Sequence, residues 1–178
     1  MEYIKTGIEG LWIIDPLIYK DERGYFAEIY KKVEFEQKIG KVEFIQDNES
    51  KSSFGIFRGF HYQEGEAAQA KLVRVTKGKV WDIAVDIRKD SATFGKYFAV
   101  ELSEENKRQF FISRGFAHGF LVLSEMAVFN YKVDNYYSPT HERVIDCMDS
   151  DLAIQWPIDQ LLISMSDKDR KGKLIKEI

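Results

Sequence analysis

A single cysteine, three prolines and three histidines are all that the 178 residues contain of those types. One cysteine, Cys147, excludes an intrachain disulfide and makes a reducing cytosol the simplest compartment, so a cytoplasmic protein is expected. With prolines only at 16, 139 and 157, and no Ser/Gly-rich stretch, repeat or low-complexity tract, nothing divides the chain into modules. No apolar run approaches the roughly 20 residues that cross a bilayer. Met1-Glu2-Tyr3-Ile4-Lys5 lacks the apolar centre of a signal peptide. Basic residues are not in excess: 26 Lys and Arg stand against 29 Asp and Glu, for a net charge of −3. That balance argues against nucleic acid or an anionic membrane as partner, and any anion site must be local. What is abundant is apolar and aromatic: 44% hydrophobic and 14% aromatic residues exclude disorder and favour a β-rich core.

The local pattern is mostly short strands. Leu11 to Ile18 is apolar and β-branched, and Val42 to Ile45 repeats this briefly. Lys71 to Ile87 is the clearest unit: two alternating segments with Lys77-Gly78-Lys79 between them predict a β-hairpin. On its second strand Trp81, Ile83, Val85 and Ile87 share one face, and Asp82, Ala84 and Asp86 the other. Further strands are expected at Tyr97–Leu102, Gln109–Ile112, Gly119–Leu123 and Ala127–Val133. Helical signals are few. Lys32 to Ile39 places Phe35 and Ile39 at i, i+4 and stops at Gly40. Ser103-Glu104-Glu105-Asn106 suits one capped turn, and the tail from Ser166 is partly helical. Many short strands with turn signals between them mean a sandwich, a barrel or a jelly roll.

Histidine moves protons near neutral pH more readily than any other side chain. His61 lies in Arg58-Gly59-Phe60-His61-Tyr62-Gln63, with Gln69 and Lys71 on the next strand. It is either a core histidine bonded to a carbonyl or a general base. Cations beside it favour the second reading, because unpaired buried charge is costly unless an anion fills the space. An ideal strand puts Arg58 and His61 on opposite faces, so both reach one cavity only if the strand bulges at Gly59. His118, in Gly115-Phe116-Ala117-His118-Gly119-Phe120, could be a metal ligand, a substrate contact or a structural residue. A His-x-His pair is missing, since Gln63 stands two after His61, and two isolated histidines make a poor first shell for zinc or iron. Ser138-Pro139-Thr140-His141-Glu142-Arg143 reads as a turn by its proline and polar composition, with His141 solvated. Phe129, Tyr131 and Val133 share a face, and Tyr131 needs a partner for its hydroxyl, which a polar cavity would supply. Tyr137 suits a cavity rim where a planar base could stack. Around Gly24, Arg23 could meet a phosphate and Glu28 a sugar hydroxyl, or the segment is a solvated turn. Lys168-Asp169 matters only if the tail folds back under His61.

Taken in order, Asp21-Glu22-Arg23-Gly24, Gln46-Asp47-Asn48, Arg58 to Gln63, Gln69 to Arg74, Asp82 to Asp86, Ser103 to Arg108, Gly115 to Phe120, Tyr136-Tyr137-Ser138-Pro139 and Lys168-Asp169 span almost the whole chain. Through these blocks it resembles the dTDP-4-dehydrorhamnose 3,5-epimerases of deoxysugar biosynthesis. The resemblance implies a mainly all-β fold, a cupin-like jelly roll or double-stranded β-helix with a few short peripheral helices. It implies one epimerase domain over 1–178, with a jelly-roll core at about 42–135 on which N-terminal strands and the C-terminal tail pack. It further implies a homodimer, a dTDP-sugar as partner, and catalysis with no cofactor and no metal. His61 matches the family's base, Asp169 the carboxylate paired with it, Tyr131 the acid on the other side of the ring, and Lys71 the cation near the enolate. Arg23, Phe26, Glu28, Gln46, Asn48, Arg58, Gln63, His118, Tyr137, Glu142 and Lys168 match substrate-binding positions, Tyr137 as the nucleobase-stacking aromatic.

The implied chemistry converts dTDP-4-dehydro-6-deoxy-D-glucose to dTDP-4-dehydro-L-rhamnose. A C4 ketone acidifies the hydrogens on C3 and C5, and removal from one face with return from the other inverts each centre. Some positions depart from the family pattern: Ser113-Arg114 replaces Pro-Glu, Phe60 replaces leucine, a tryptophan near Cys147 is absent, and no proline follows Asp169. The alternatives are an epimerase acting at C3 or C5 alone on a related nucleotide-sugar, or a non-catalytic sugar-nucleotide-binding cupin.

Overall fold

Alternation along Lys79–Asp86 sets the layers. Val80, Asp82 and Ala84 point one way and Ile83 and Val85 the other, yet all five are buried. A strand buried on both faces lies inside a layered structure. The computed structural model describes residues 1–178. Its strands are β1 (Glu2–Lys5), β2 (Leu11–Asp15), β3 (Ile18–Asp21), β4 (Gly24–Ala27), β5 (Gln46–Ser53), β6 (Phe57–Gln63), β7 (Lys71–Lys77), β8 (Lys79–Asp86), β9 (Tyr97–Ser103), β10 (Gln109–Ile112), β11 (Phe116–Val122), β12 (Met126–Val133) and β13 (Glu142–Val144), with one helix, α1 (Lys32–Lys38). A six-stranded sheet in the order β1-β2-β10-β7-β12-β5 faces a five-stranded sheet in the order β13-β6-β11-β8-β9. Every pair within them is antiparallel. This is the jelly-roll architecture expected from the sequence. β3 and β4 form a separate two-stranded hairpin.

Three apolar layers follow. Between the sheets, Val73, Val75 and Phe129 meet Val80, Ala84 and Phe120. The outer face of the five-stranded sheet, with Phe57, Phe60, Ile83 and Leu121, is covered by the tail through Leu152, Ile163 and Ile175. The outer face of the six-stranded sheet receives α1. There Phe35, fully buried, sits 5.2 Å from Phe111 and 5.6 Å from Phe44, centroid to centroid, near edge-on. Burying such a ring contributes about 2–3 kcal/mol. Gly40, at φ +126°, follows α1 with the conformation glycine tolerates best.

Four expectations change. Lys71 to Ile87 is no hairpin: β7 belongs to the six-stranded sheet and β8 to the five-stranded one. Only Gly78 separates them, fewer than the two residues a hairpin loop needs. The chain therefore turns a corner between layers. Gly78 sits at φ +74°, and a Cβ there would lie 2.0 Å from the Met126 carbonyl oxygen. Val42–Ile45 is not a strand. Val42 and Phe44 pack beside Phe35 outside any sheet, and the strand begins at Gln46. Pro16 divides Leu11–Ile18 between β2 and β3. Last, Glu142-Arg143, read as part of a turn, begins β13 on the edge of the five-stranded sheet.

Candidate active site

β6 carries the central histidine, and its irregularity decides what that histidine meets. His61 pairs with His118 on β11, and Arg58 pairs with Phe120. Two residues of β6, Gly59 and Phe60, thus oppose Gly119 alone. This is the bulge that brings Arg58 and His61 to one side. Gly59 sits at φ +140°, and a Cβ there would meet the Gly119 Cα at 2.4 Å. Phe57 and Phe60 point outward into the layer under the tail.

The inward side opens on a cavity of about 200 Å³. Arg58, His61, Gln63, His118 and Glu142 line it from the five-stranded sheet. Lys71 and Tyr131 line it from the six-stranded sheet, and Tyr137 stands at its mouth. The imidazole and the phenol therefore face one space from opposite walls. The tail does fold back under His61: Asp169, almost fully buried, accepts from His61 Nε2 at 2.7 Å. With Nε2–H committed, Nδ1 is the lone pair facing the cavity, an assignment that follows from the bonding pattern. Burial pushes the Asp169 carboxyl up, but the His61 bond and charge, with Ser166 and the Gly59 N–H, outweigh it and hold it below its ordinary value.

The cations and acids sort by burial. Desolvation pulls the Lys71 ammonium down to about 8, against the upward pull of Asp82 and Glu142. Burial raises the Tyr131 phenol, so it holds its proton at neutral pH, although Arg58 pulls the other way. At the mouth Glu142 accepts from the Tyr137 hydroxyl at 2.7 Å and from Lys168. Burial works to raise Glu142, but those two bonds leave it lowered. Arg58 Nε donates to Ser52 Oγ at 2.9 Å. Gln63 is buried and bonded on both ends, to the Ala67 and Tyr136 carbonyls and to the Ser138 N–H. It braces the mouth from behind.

Not every expected residue reaches this cavity. Gln46 and Asn48 lie on the inner side of β5, bonded to each other at 2.9 Å. Asn48 stands opposite Tyr131 in the ladder and lines a neighbouring cavity of about 330 Å³ with it. Arg23, Phe26 and Glu28 stay apart, exposed on or just after the β3–β4 hairpin, and Arg23 is paired with Asp21. His141 is a solvated turn residue, bonded to Ser138 Oγ at 2.7 Å. Sequence reasoning passed over Ser50, which lines the cavity, and Ser52, which holds Arg58. It also passed over Asp82, which binds His118 beneath the cavity floor. The signals for Asp82 were a carboxylate inside the apolar run Val80 to Val85 and its place in the block Asp82 to Asp86 that carries the resemblance. No group of three histidine, cysteine, aspartate or glutamate side chains is arranged to hold a metal ion.

The same architecture recurs in known proteins. A dTDP-4-dehydrorhamnose 3,5-epimerase of Salmonella typhimurium is 51% identical over 178 residues, covering 99% of this chain and 97% of that one. The crystal structure of a dTDP-4-dehydrorhamnose 3,5-epimerase from Elizabethkingia anophelis superposes with a TM-score of 0.96 at 50% identity, covering 99% of this chain and 97% of the other. A dTDP-6-deoxy-D-glucose-3,5-epimerase from Legionella pneumophila, solved in complex with dTDP-4-keto-L-rhamnose, gives 0.95 at 49% identity, with 99% and 94% covered. The profile of the dTDP-4-dehydrorhamnose 3,5-epimerase family matches residues 5–177. With fold, length and sequence in agreement from end to end, the chain belongs to the dTDP-4-dehydrorhamnose 3,5-epimerase family, a family of isomerases.

Proposed function

We propose that His61, Asp169, Lys71 and Tyr131 carry the family reaction here, inversion at C3 and C5 of dTDP-4-dehydro-6-deoxy-D-glucose to give dTDP-4-dehydro-L-rhamnose. One observation supports this above the others: His61 and Tyr131 line a single cavity from the two facing sheets. A pyranose between those walls meets a base on one face and an acid on the other. His61 Nδ1 takes the proton from carbon, and the C–H electron pair moves into the C4 carbonyl as an enolate. Asp169 accepts from Nε2 and favours the imidazolium that forms. Lys71 faces the same space as a cation for the enolate oxygen; one such donor is typically worth about 2.7–4 kcal/mol. Tyr131 returns a proton to carbon from the opposite side. Exchange with solvent then resets both groups, and the second centre follows in the same way. The ketone is its own electron sink, so these steps call on no cofactor.

Arg58, held by Ser52, suits the diphosphate through charge-assisted bonds, with Lys168 as a second cation at the mouth. Tyr137 presents a ring for the nucleobase, Gln63 braces that mouth, and His118 shapes the floor. Arg23, Phe26 and Glu28 reach a sugar-nucleotide only if the hairpin of one protomer meets the cavity of another. Leu17, Tyr19, Tyr25 and Phe26 are each more than half exposed there, an apolar surface that a second copy would cover. This supports a homodimer. A cytoplasmic location fits the lone Cys147, whose buried thiol is pushed up to about 12 and stays unreactive. No helix is long and apolar enough to cross a membrane.

The deciding experiment is turnover of dTDP-4-dehydro-6-deoxy-D-glucose in deuterated water, with the product trapped by a reductase and read by NMR. Deuterium and inversion at both C3 and C5 are expected. Inversion at one centre alone would assign the narrower activity, and deuterium at neither would overturn the reading. Sedimentation should give a dimer, converted to monomer by Phe26→Asp.

A further inference from the structure

Beneath the cavity floor lies a carboxylate that the proposed reaction does not use. Asp82, on β8, has no exposed surface. Both its oxygens accept from His118 Nε2, at 2.9 and 3.0 Å. His118 in turn stands directly opposite His61 in the β6–β11 ladder. No group of the chain bonds His118 Nδ1, and no fully buried side-chain nitrogen or oxygen lacks a partner. Nδ1 is therefore part of the cavity wall that His118 forms.

We infer that Asp82 is a positioning residue: from outside the cavity it fixes His118 as the Nε2–H tautomer and balances the Lys71 charge, so one floor atom accepts and its neighbour donates. The inference rests on the proposed roles of His61 and Lys71. Two consequences follow. Burial, aided by the Lys71 and His61 charges, keeps His118 below its ordinary value despite Asp82, so the ring is neutral at pH 7. Its Nδ1 then offers a lone pair to a sugar hydroxyl, and a sugar lacking that hydroxyl leaves the nitrogen unpartnered and binds less well. Second, Lys71 forms no ion pair within 4.0 Å, and its nearest bond is to the His61 carbonyl at 3.5 Å. The groups that share its surroundings are Asp82, Glu142, His118, His61, Arg58 and Tyr131. Only Asp82 and Glu142 among them are anionic. Both pull the ammonium up against burial, Asp82 the more strongly, and Asp82, with no exposed surface, is the one whose charge water screens least.

The test uses the intact protein. With only three histidines, ¹⁵N-histidine spectra resolve each ring, and His118→Gln assigns its signals. Wild type at pH 7 should show His118 as the neutral Nε2–H tautomer. The near-isosteric Asp82→Asn should mix the two tautomers. It should move the alkaline limb of kcat down by about one pH unit, as loss of a neighbouring charge does. It should also lower kcat at pH 8 roughly fivefold with a smaller change in KM. A merely structural role would move neither limb nor tautomer. A wild-type His118 that is Nδ1–H or charged at pH 7 overturns the inference even if Asp82→Asn fails to fold. A folded Asp82→Asn with unmoved limb and tautomer also overturns it. Failure of the underlying reading looks different: His61→Asn would then keep its solvent exchange whatever the spectra show.

Discussion

His61 with Asp169 and His118 with Asp82 are the same chemical pair in two settings, facing each other across one ladder. Their hydrogen bonds are alike, at 2.7 and 2.9 Å. Exposure separates them: the His61 side chain keeps 32% of its surface and that of His118 only 7%. The open ring can change charge when substrate arrives, because water and the cavity absorb the change. For the closed ring the same change costs more, because desolvation penalises the cation. Asp169 is held ionised by its histidine, whereas burial raises Asp82 against the pull of His118 and Lys71. The contrast suits the proposed proton transfer at His61 and a fixed ring at His118.

The largest break in this contrast is His61→Asn. Removing the base should slow deuterium exchange at C3 and C5 by roughly 10²–10⁴-fold, with binding of dTDP retained by calorimetry. Asp169→Asn should come next. Its amide no longer favours the imidazolium, so kcat should fall on the order of 10²-fold with KM little changed. Asp169 has its pKa lowered, so the stability it lends is present above the unfolded value near 3.8 and fades as pH drops below that. Acid unfolding of Asp169→Asn should therefore begin at the higher pH. A smaller effect comes from alkali. Burial pulls Lys71 down to about 8, so the charge proposed to serve the enolate is present below that pH and lost above it. kcat should decline as pH rises through 8, with the fold intact by circular dichroism. Least of all is His141→Ala, which touches neither pair; exchange should stay within about twofold and stability within about 0.5 kcal/mol.

Much of the fold was legible because apolar alternation reports burial. β10 and β12 appear in the sequence nearly as they stand, and α1 shows through Phe35, Ile39 and Gly40. β5 was illegible for an instructive reason. Gln46, Asn48, Ser50 and Ser52 form its inner side, and that side faces a polar cavity and the Arg58 guanidinium. A strand that lines a site carries no apolar stripe. The supposed hairpin failed because Gly78 looks the same locally whether the chain reverses or turns a corner. Asp82 was placed on the right face of β8, yet nothing local revealed that this face was the inside.

On its own, the sequence determined the jelly-roll class, the family and the stock of acids, bases and cations. Strand period and ordered motifs are local properties, and they survive without coordinates. Only the tertiary structure decided that a second carboxylate, Asp82, meets His118, since the two lie 36 residues apart. It also decided which pair stays open to the cavity. That outcome depends on a corner at Gly78 and a tail laid over an outer sheet face, contacts between distant segments that no local pattern encodes.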